Sequence, residues 1–272
     1  MKDRMRGSSR WPESGSPLPG SRGLPRAFPT MPRRSTAPVS RRVTLVAIAG
    51  GSGSGKTWFA AELHSRLRGR AARLSLDDFY RDLSHLPPER RARTNFDSPA
   101  AIDWRRLGAV LRAIARGEEP ELPTYDFSRH TRAPAVRRWR RRAIVIVEGL
   151  WPWARAGLRR LFALRLYRSA EADLRLARRL RRDVRERGRE AADIHRQWNA
   201  HVEPMFARHV VPQRRHAHAI LGDRLTSAEV GRWAVHISGL HAATGDAQVK
   251  KKRPARIGPA SGARGRRVRA SS

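Results

Sequence analysis

The residues best suited to chemistry stand together at Gly50, Gly51, Ser52, Gly53, Ser54, Gly55, Lys56 and Thr57. Glycines let successive backbone N–H groups turn inward around a polyphosphate. In the pattern G-x-x-x-x-G-K-[ST], Lys56 can reach the β and γ phosphates and the Thr57 hydroxyl can join a Mg²⁺ shell. A flexible Gly/Ser linker is the bland alternative, yet a linker needs no Lys-Thr at its end. Two carboxylates have a compatible placement, Asp77 and Glu148, each closing a short apolar run. Alone, Asp77-Asp78 reads as a turn or a helix cap, and Glu148 as a strand end facing solvent. Beside a Gly-Lys-Thr loop, Glu148 is better read as the acidic residue near the metal.

These groups work only if strands and helices hold them at one edge. Val43 to Ala49 is a short apolar run with the look of a strand buried on both faces. Phe59, Leu63 and Leu67 then recur at helical spacing, so a helix points its positive end at the loop. Further strands are expected at Ala71–Leu76, Ala143–Val147, Phe162–Tyr167 and His218–Leu221. Further helices are expected at Asp103–Arg116, Ala170–Arg187, Ala191–Arg208 and Ser227–His236. Strands alternating with helical patterns predict an α/β fold with a mostly parallel sheet. In such sheets a carboxylate ending a strand beside the first one faces the ligand crevice.

The chain has 272 residues, no cysteine, and a net charge of +34, with only five lysines among its 58 basic residues. Disulfides and thiolate metal sites are excluded, and polyanions are the natural partners. Residues 1–40 carry eight basic and two acidic side chains and 246–272 carry nine and one, which leaves +20 on 41–245. The two ends are rich in Pro, Ser, Gly and Arg and read as disordered basic segments around one domain, 41–245. A wrongly chosen upstream start codon would account for 1–40 equally well. No apolar run suits a membrane span or a signal peptide, so the default expectation is a soluble cytoplasmic protein.

Seven blocks follow in order: GGSGSGKT, LSLDDFY, NFDSPAAID (Asn95–Asp103), PTYDFSRHTR (Pro123–Arg132), VIVEGLW (Val145–Trp151), ADLRLARRLRRDVRERGR (Ala172–Arg189) and RQWNAHVEPMFARHVVPQRRHAHAIL (Arg196–Leu221). Together they resemble the uridine/cytidine kinases, within the uridine kinase and phosphoribulokinase branch of P-loop kinases, over Val43 to Leu221. Beyond the first, each block matters through its order and spacing. The resemblance implies a P-loop NTPase fold with a projecting β-hairpin and an Arg-rich helical lid. It also implies ATP or GTP as phosphoryl donor with Mg²⁺, a uridine or cytidine acceptor, and a pyrimidine salvage reaction yielding UMP or CMP.

Carried over position by position, Asp77 matches the carboxylate that orients the nucleoside 5′-hydroxyl. Tyr80 lines the nucleoside pocket, Phe96 packs on the base, and Asp97 binds the ribose hydroxyls. Tyr125 and His130 read the pyrimidine from the hairpin. Arg179, Arg189 and Gln197 match nucleoside-contacting positions, and Arg182 and Arg187 match lid arginines that clamp phosphates. Read without the resemblance, this arginine run is a solvated helix face and His130 a surface histidine. The chain departs from the family pattern at Trp58, Asp78, Ser98 and His218, where a small hydroxyl residue, Ser, His and Asp are usual. Members often form tetramers, which implies a homo-oligomer, though no interface is legible. A sister kinase for another small alcohol, like phosphoribulokinase or pantothenate kinase, is the nearest rival. A nucleic-acid-binding NTPase using the basic tails is a rival of another class.

Overall fold

The computed structural model describes residues 43–252, with side chains through residue 243. The segment expected as an extension, 1–40, and residues 253–272 of the expected tail lie outside the described residues. In chain order the elements are β1 (Thr44–Gly50), α1 (Lys56–Arg66), β2 (Ala71–Ser75), α2 (Pro88–Ala92), α3 (Trp104–Ala115), β3 (Glu121–Leu122), β4 (Tyr125–Asp126), β5 (Thr131–Arg132) and β6 (Arg137–Arg138). There follow β7 (Ile144–Gly149), α4 (Ala156–Arg159), β8 (Phe162–Arg168), α5 (Ala172–Arg187), α6 (Ala191–Gln197), α7 (Glu203–Met205), β9 (Ala219–Leu221) and α8 (Ser227–Lys252).

Every residue of β1 is buried, as a strand at the middle of a two-faced sheet must be. The order is β2-β7-β1-β8-β9, and all four pairings are parallel. Side chains alternate across the pleat, so each strand feeds two cores. Leu45, Ala47, Ala49, Val145 and Val147 pack with Leu107, Leu111 and Ile114 of α3 and with Phe79, Trp151 and Trp153. Val46, Ile48, Ile144, Ile146, Leu164 and Leu166 pack with Phe59 and Leu63 of α1 and with Val230, Trp233 and Ile237 of α8. Each large apolar side chain so buried contributes about 1.5–3 kcal/mol. The apolar weight on both sides holds rigid the carboxyl ends of β1, β7 and β8, where the loop and the carboxylates sit.

The chain from β3 to β6 is a hairpin in two pieces. β3 pairs with β6 and β4 with β5, both antiparallel. Pro123 and Pro134 lie between the pieces, and a proline cannot donate to a ladder.

Two helices differ from their expected extent. The run expected at Ala191–Arg208 continues to His216 and is not uniformly α. It widens into π-helical turns at Trp198–Val202 and Phe206–Val210, on either side of α7, and ends in a 3₁₀ turn. Pro204 lies inside it, without an N–H to donate, and a wider turn is one way a helix absorbs that loss. The helix expected to stop at His236 runs on to Lys252, past Asp246. Gly239 lowers its intrinsic propensity by about 1 kcal/mol, and packing on either side of it outweighs that cost. Ile237 is fully buried, and His241 Nδ1 sits 3.0 Å from Thr44 Oγ1 on β1.

Gly53 and Gly69 separate two backbone effects. Both have positive φ, +77° and +74°, a region costly for any residue with a Cβ. A Cβ on Gly69 would meet nothing within 4 Å, whereas one on Gly53 would fall on the Arg175 carbonyl oxygen. Gly69→Ala is therefore expected to cost about 1 kcal/mol in urea unfolding. Gly53→Ala is expected to cost more than about 2 kcal/mol, because α5 must also move away.

Candidate active site

The Gly50–Gly55 loop leaves β1 and turns directly into α1, so the helix's positive end addresses whatever the loop encloses. Lys56 folds back over it, its Nζ donating to the Gly51 carbonyl at 3.5 Å. Thr57 Oγ1 donates to Glu148 Oε2 at 3.2 Å. Register explains that contact: Glu148 lies opposite Ile48 of β1 and Ser75 of β2, at the carboxyl edge of the sheet. Burial raises the Glu148 carboxyl above its ordinary range; Lys56 pulls it down and Asp77 pushes it up. Ser54 Oγ and Arg175 Nη1 are buried without a hydrogen-bond partner. Arg175 Nη1 presses on Gly51, 2.9 Å from where a Cβ would stand. Orphaned polar atoms beside a glycine-rich loop at a helix N-terminus suit phosphate oxygens, and the Thr57–Glu148 pair suits a hard divalent cation. The residues present thus fit a nucleotide with Mg²⁺.

The residues expected on the acceptor side gather around Asp77 and Asp97. Asp77 is half-buried on the 3₁₀ turn Leu76–Phe79, and its N–H donates to Ser75 Oγ at 3.2 Å. Asp97 is raised by burial, lowered by Arg179, raised again by Asp77, and lowered by Lys56 and His201. Asp97, Asp77 and Lys56 therefore share one electrostatic neighbourhood with Glu148. Asp78 points elsewhere, to Arg137 at 3.6 Å. Burial is the main cause of its raised carboxyl.

An aromatic wall closes this side. Tyr80 meets Phe96 at 5.0 Å and Tyr125 at 5.3 Å edge to face, and Phe96 stacks on His130 at 4.9 Å and 20°. The Tyr80 hydroxyl donates to the Phe96 carbonyl at 3.2 Å. Burial pushes the Tyr125 hydroxyl up to about 12, while burial and Arg91 lower the His130 imidazole. Both causes favour the neutral imidazole, which carries one ring donor and one ring acceptor. The four aromatic residues expected to line the acceptor pocket are thus brought together from three separate segments. Arg132 ties the hairpin down: its Nη2 donates to the Tyr80 carbonyl at 3.2 Å and to Asp103 Oδ2 at 3.1 Å. Arg91 Nη1 holds the tip through the Arg129 carbonyl at 3.2 Å. Ser98, at the position where His is usual, caps the turn Pro99–Ala101 by accepting from the Ala100 N–H.

The arginines expected at the lid converge as well. Arg179 Nη1 donates to Ser52 Oγ in the loop at 2.9 Å, and its Nη2 to Gln197 Oε1 at 2.8 Å. Arg189 Nη1 donates to the same Gln197 oxygen at 2.8 Å. Arg179, Arg182, Arg187 and Arg189 all reach Asp183, at 3.5, 2.8, 3.5 and 3.6 Å. Sequence reasoning missed Asp183, although an acid four residues from both Arg179 and Arg187 is a readable helix-face signal. It also missed Arg175, which is buried, bonded twice to Glu203 (2.9 and 2.7 Å) and stacked 3.8 Å from the Phe206 ring. Arg175 and Glu203 are 28 residues apart, and no local pattern joins them. Trp58 is half exposed on the first turn of α1. His218, where Asp is usual, lies against Arg165, its Nε2 2.6 Å from Nη2.

The family model described as "Phosphoribulokinase / Uridine kinase family" matches residues 45–230. A uridine kinase of Chloroflexus aggregans is 42% identical over 177 residues, covering 65% of this chain and 85% of that protein. A uridine kinase of Staphylococcus epidermidis is 38% identical over 181 residues, covering 66% and 87%. Among solved structures, phosphoribulokinase from Rhodobacter spheroides shares the fold, with a TM-score of 0.50 at 17% identity, covering 67% of this chain and 71% of that one. The chain belongs to the phosphoribulokinase / uridine kinase family, and it is an enzyme with the P-loop kinase fold.

Glu148 yields a test in which stability and activity part. A carboxyl raised by burial contributes most stability when protonated, below its ordinary value of 4.5, and that contribution is lost as pH rises through the raised value. At pH 7 Glu148→Gln is therefore expected to melt no lower than the parent protein, while Mg²⁺-dependent phosphate transfer falls at least about tenfold. Melting curves and initial rates read both.

Proposed function

We propose that this member of the phosphoribulokinase / uridine kinase family transfers the γ-phosphoryl group of ATP or GTP to the 5′-hydroxyl of uridine or cytidine. The observation that carries this reading is the aromatic wall of Tyr80, Phe96, Tyr125 and His130 beside Asp77 and Asp97, with Lys56 of the loop in the electrostatic neighbourhood of Asp97. A flat heteroaromatic base suits such a wall, and a neutral His130 supplies a donor and an acceptor for its edge. The name shared by the Chloroflexus and Staphylococcus relatives supports the same choice. A sugar phosphate or pantothenate has no flat heteroaromatic ring to stack.

In this reading the loop from Gly50 to Thr57 cradles the donor phosphates, and Lys56 compensates their charge. Thr57 and Glu148 would hold Mg²⁺, which supplies charge screening on the phosphate oxygens. Asp77 orients the 5′-hydroxyl and accepts its proton. Asp97 holds the ribose hydroxyls; a deoxyribose acceptor would leave one of its oxygens unpaired and react more slowly. Arg182 and Arg187 draw over the transferring group, stabilising charge on its equatorial oxygens and excluding water. Arg179, Arg189 and Gln197 fix the nucleoside against the loop. Residues 41–245 would form the whole catalytic domain, with the basic ends dispensable for transfer. UMP or CMP made this way would enter pyrimidine salvage.

The test is transfer from labelled ATP across uridine, cytidine, deoxycytidine, adenosine, pantothenate, ribulose 5-phosphate and no acceptor. Label in UMP or CMP is the expected outcome. Label in another acceptor overturns the base-reading assignment of Tyr125 and His130. Phosphate released without acceptor, and faster with added RNA or DNA, favours the nucleic-acid NTPase. Asp77→Asn is expected to lower kcat on uridine by about 10²-fold or more, with KM for uridine nearly unchanged. Unchanged turnover would remove Asp77 from the reaction.

A further inference from the structure

Asp183 has no exposed side-chain surface, and four guanidiniums surround it. Like charges gathered on one helix face repel each other, so an anion at their centre is what lets Arg179, Arg182, Arg187 and Arg189 converge. The same residue ends the helix through its backbone: Gly188 and Arg189 donate their N–H groups to the Asp183 carbonyl. The four arginines fall into two tiers. Arg179 and Arg189 are pinned a second time by Gln197, and Arg179 a third time by Ser52. Arg182 and Arg187 are different: each meets Asp183, and their side chains stay 35% and 55% exposed. One carboxylate cannot neutralise four cations, so the cluster keeps attraction for a polyanion while its members stay gathered.

We propose that Asp183 is a positioning residue for phosphoryl transfer: it holds Arg182 and Arg187 gathered at the phosphate site in advance and shares them with the phosphoryl group during the reaction. This rests on the kinase reading above. Preorganised donors stabilise developing charge without reorganising during the step. Without Asp183, the outer pair splays and must be collected by the nucleotide itself. Nucleotide binding is then not weakened, since the site has lost a negative charge, but alignment of the transferring group is.

The experiment is a double-mutant cycle on the full chain, with kcat and KM for ATP measured on whichever acceptor the parent protein phosphorylates. Asp183→Asn is expected to lower kcat at least about tenfold without raising KM for ATP. In a background already carrying Arg182→Ala and Arg187→Ala, the same substitution is expected to lower kcat less than about threefold, because there is no outer pair left to position. Equal loss in both backgrounds, or a raised KM for ATP with kcat kept, overturns the proposal and leaves Asp183 a helix-ending residue. If Asp183→Asn does not fold, Asp183→Glu, which keeps the charge but moves it by one methylene, is read through the same cycle with the same expectations. Absence of transfer to any acceptor by the parent protein overturns the kinase reading and this proposal together. A transferring parent with an additive cycle overturns this proposal alone.

Discussion

Negative charge at the carboxyl edge of a buried parallel sheet is costly, and the site depends on how that cost is offset. Glu148 and Asp97 are both pushed up by burial, and each is drawn back by cations that belong to the site, Lys56 for both and Arg179 for Asp97. Lys56 thus links the loop electrostatically to both carboxylates and favours their charged forms. The arginines of α5 repeat the device on the opposite side, around Asp183, and Glu203 does the same for Arg175 beneath Gly51. A chain this rich in arginine could spread its charge over the surface. Here part of it is fixed in place by a small number of acids, the fully buried Asp183 and the half-buried Glu203.

Much of this was legible in the sequence because it is local. The apolar run into Gly50–Thr57, the five sheet strands, and the carboxylates at Asp77 and Glu148 all follow from patterns spanning fewer than about ten residues. The gathering of Tyr80, Phe96, Tyr125 and His130 came only from family resemblance, since three separate segments build it. What stayed hidden depends on partners far apart in the chain. Arg175 with Glu203 and Arg132 with Asp103 are pairs whose spacing carries no periodic signal. The extension of α8 was hidden for another reason. Gly239 lowers local propensity, while burial of Ile237 and the His241–Thr44 contact outweigh it. Asp183 stands between these cases, since its helix spacing was readable and the surplus of arginines masked it.

The hairpin shows how the fold governs the acceptor side. Its strands are two residues each, too few to hold a pocket wall through ladder bonds alone. Arg132 and Arg91 supply the missing stiffness by bonding to the Tyr80, Leu86 and Arg129 carbonyls and to Asp103. Phe96 and His130 stack because those anchors fix the hairpin over the loop at Asn95–Ser98. The placing of the aromatic wall thus rests on arginines that lie outside it.

A crystal structure with ADP, Mg²⁺ and uridine bound is the most direct measurement of this arrangement. The expected result is the ADP β-phosphate within the Gly50–Thr57 loop, the uracil ring against Phe96 and His130, the ribose hydroxyls on Asp97, and the 5′-oxygen within hydrogen-bond reach of Asp77. Uridine bound away from Asp77 and Asp97, with the aromatic wall left free, would contradict it.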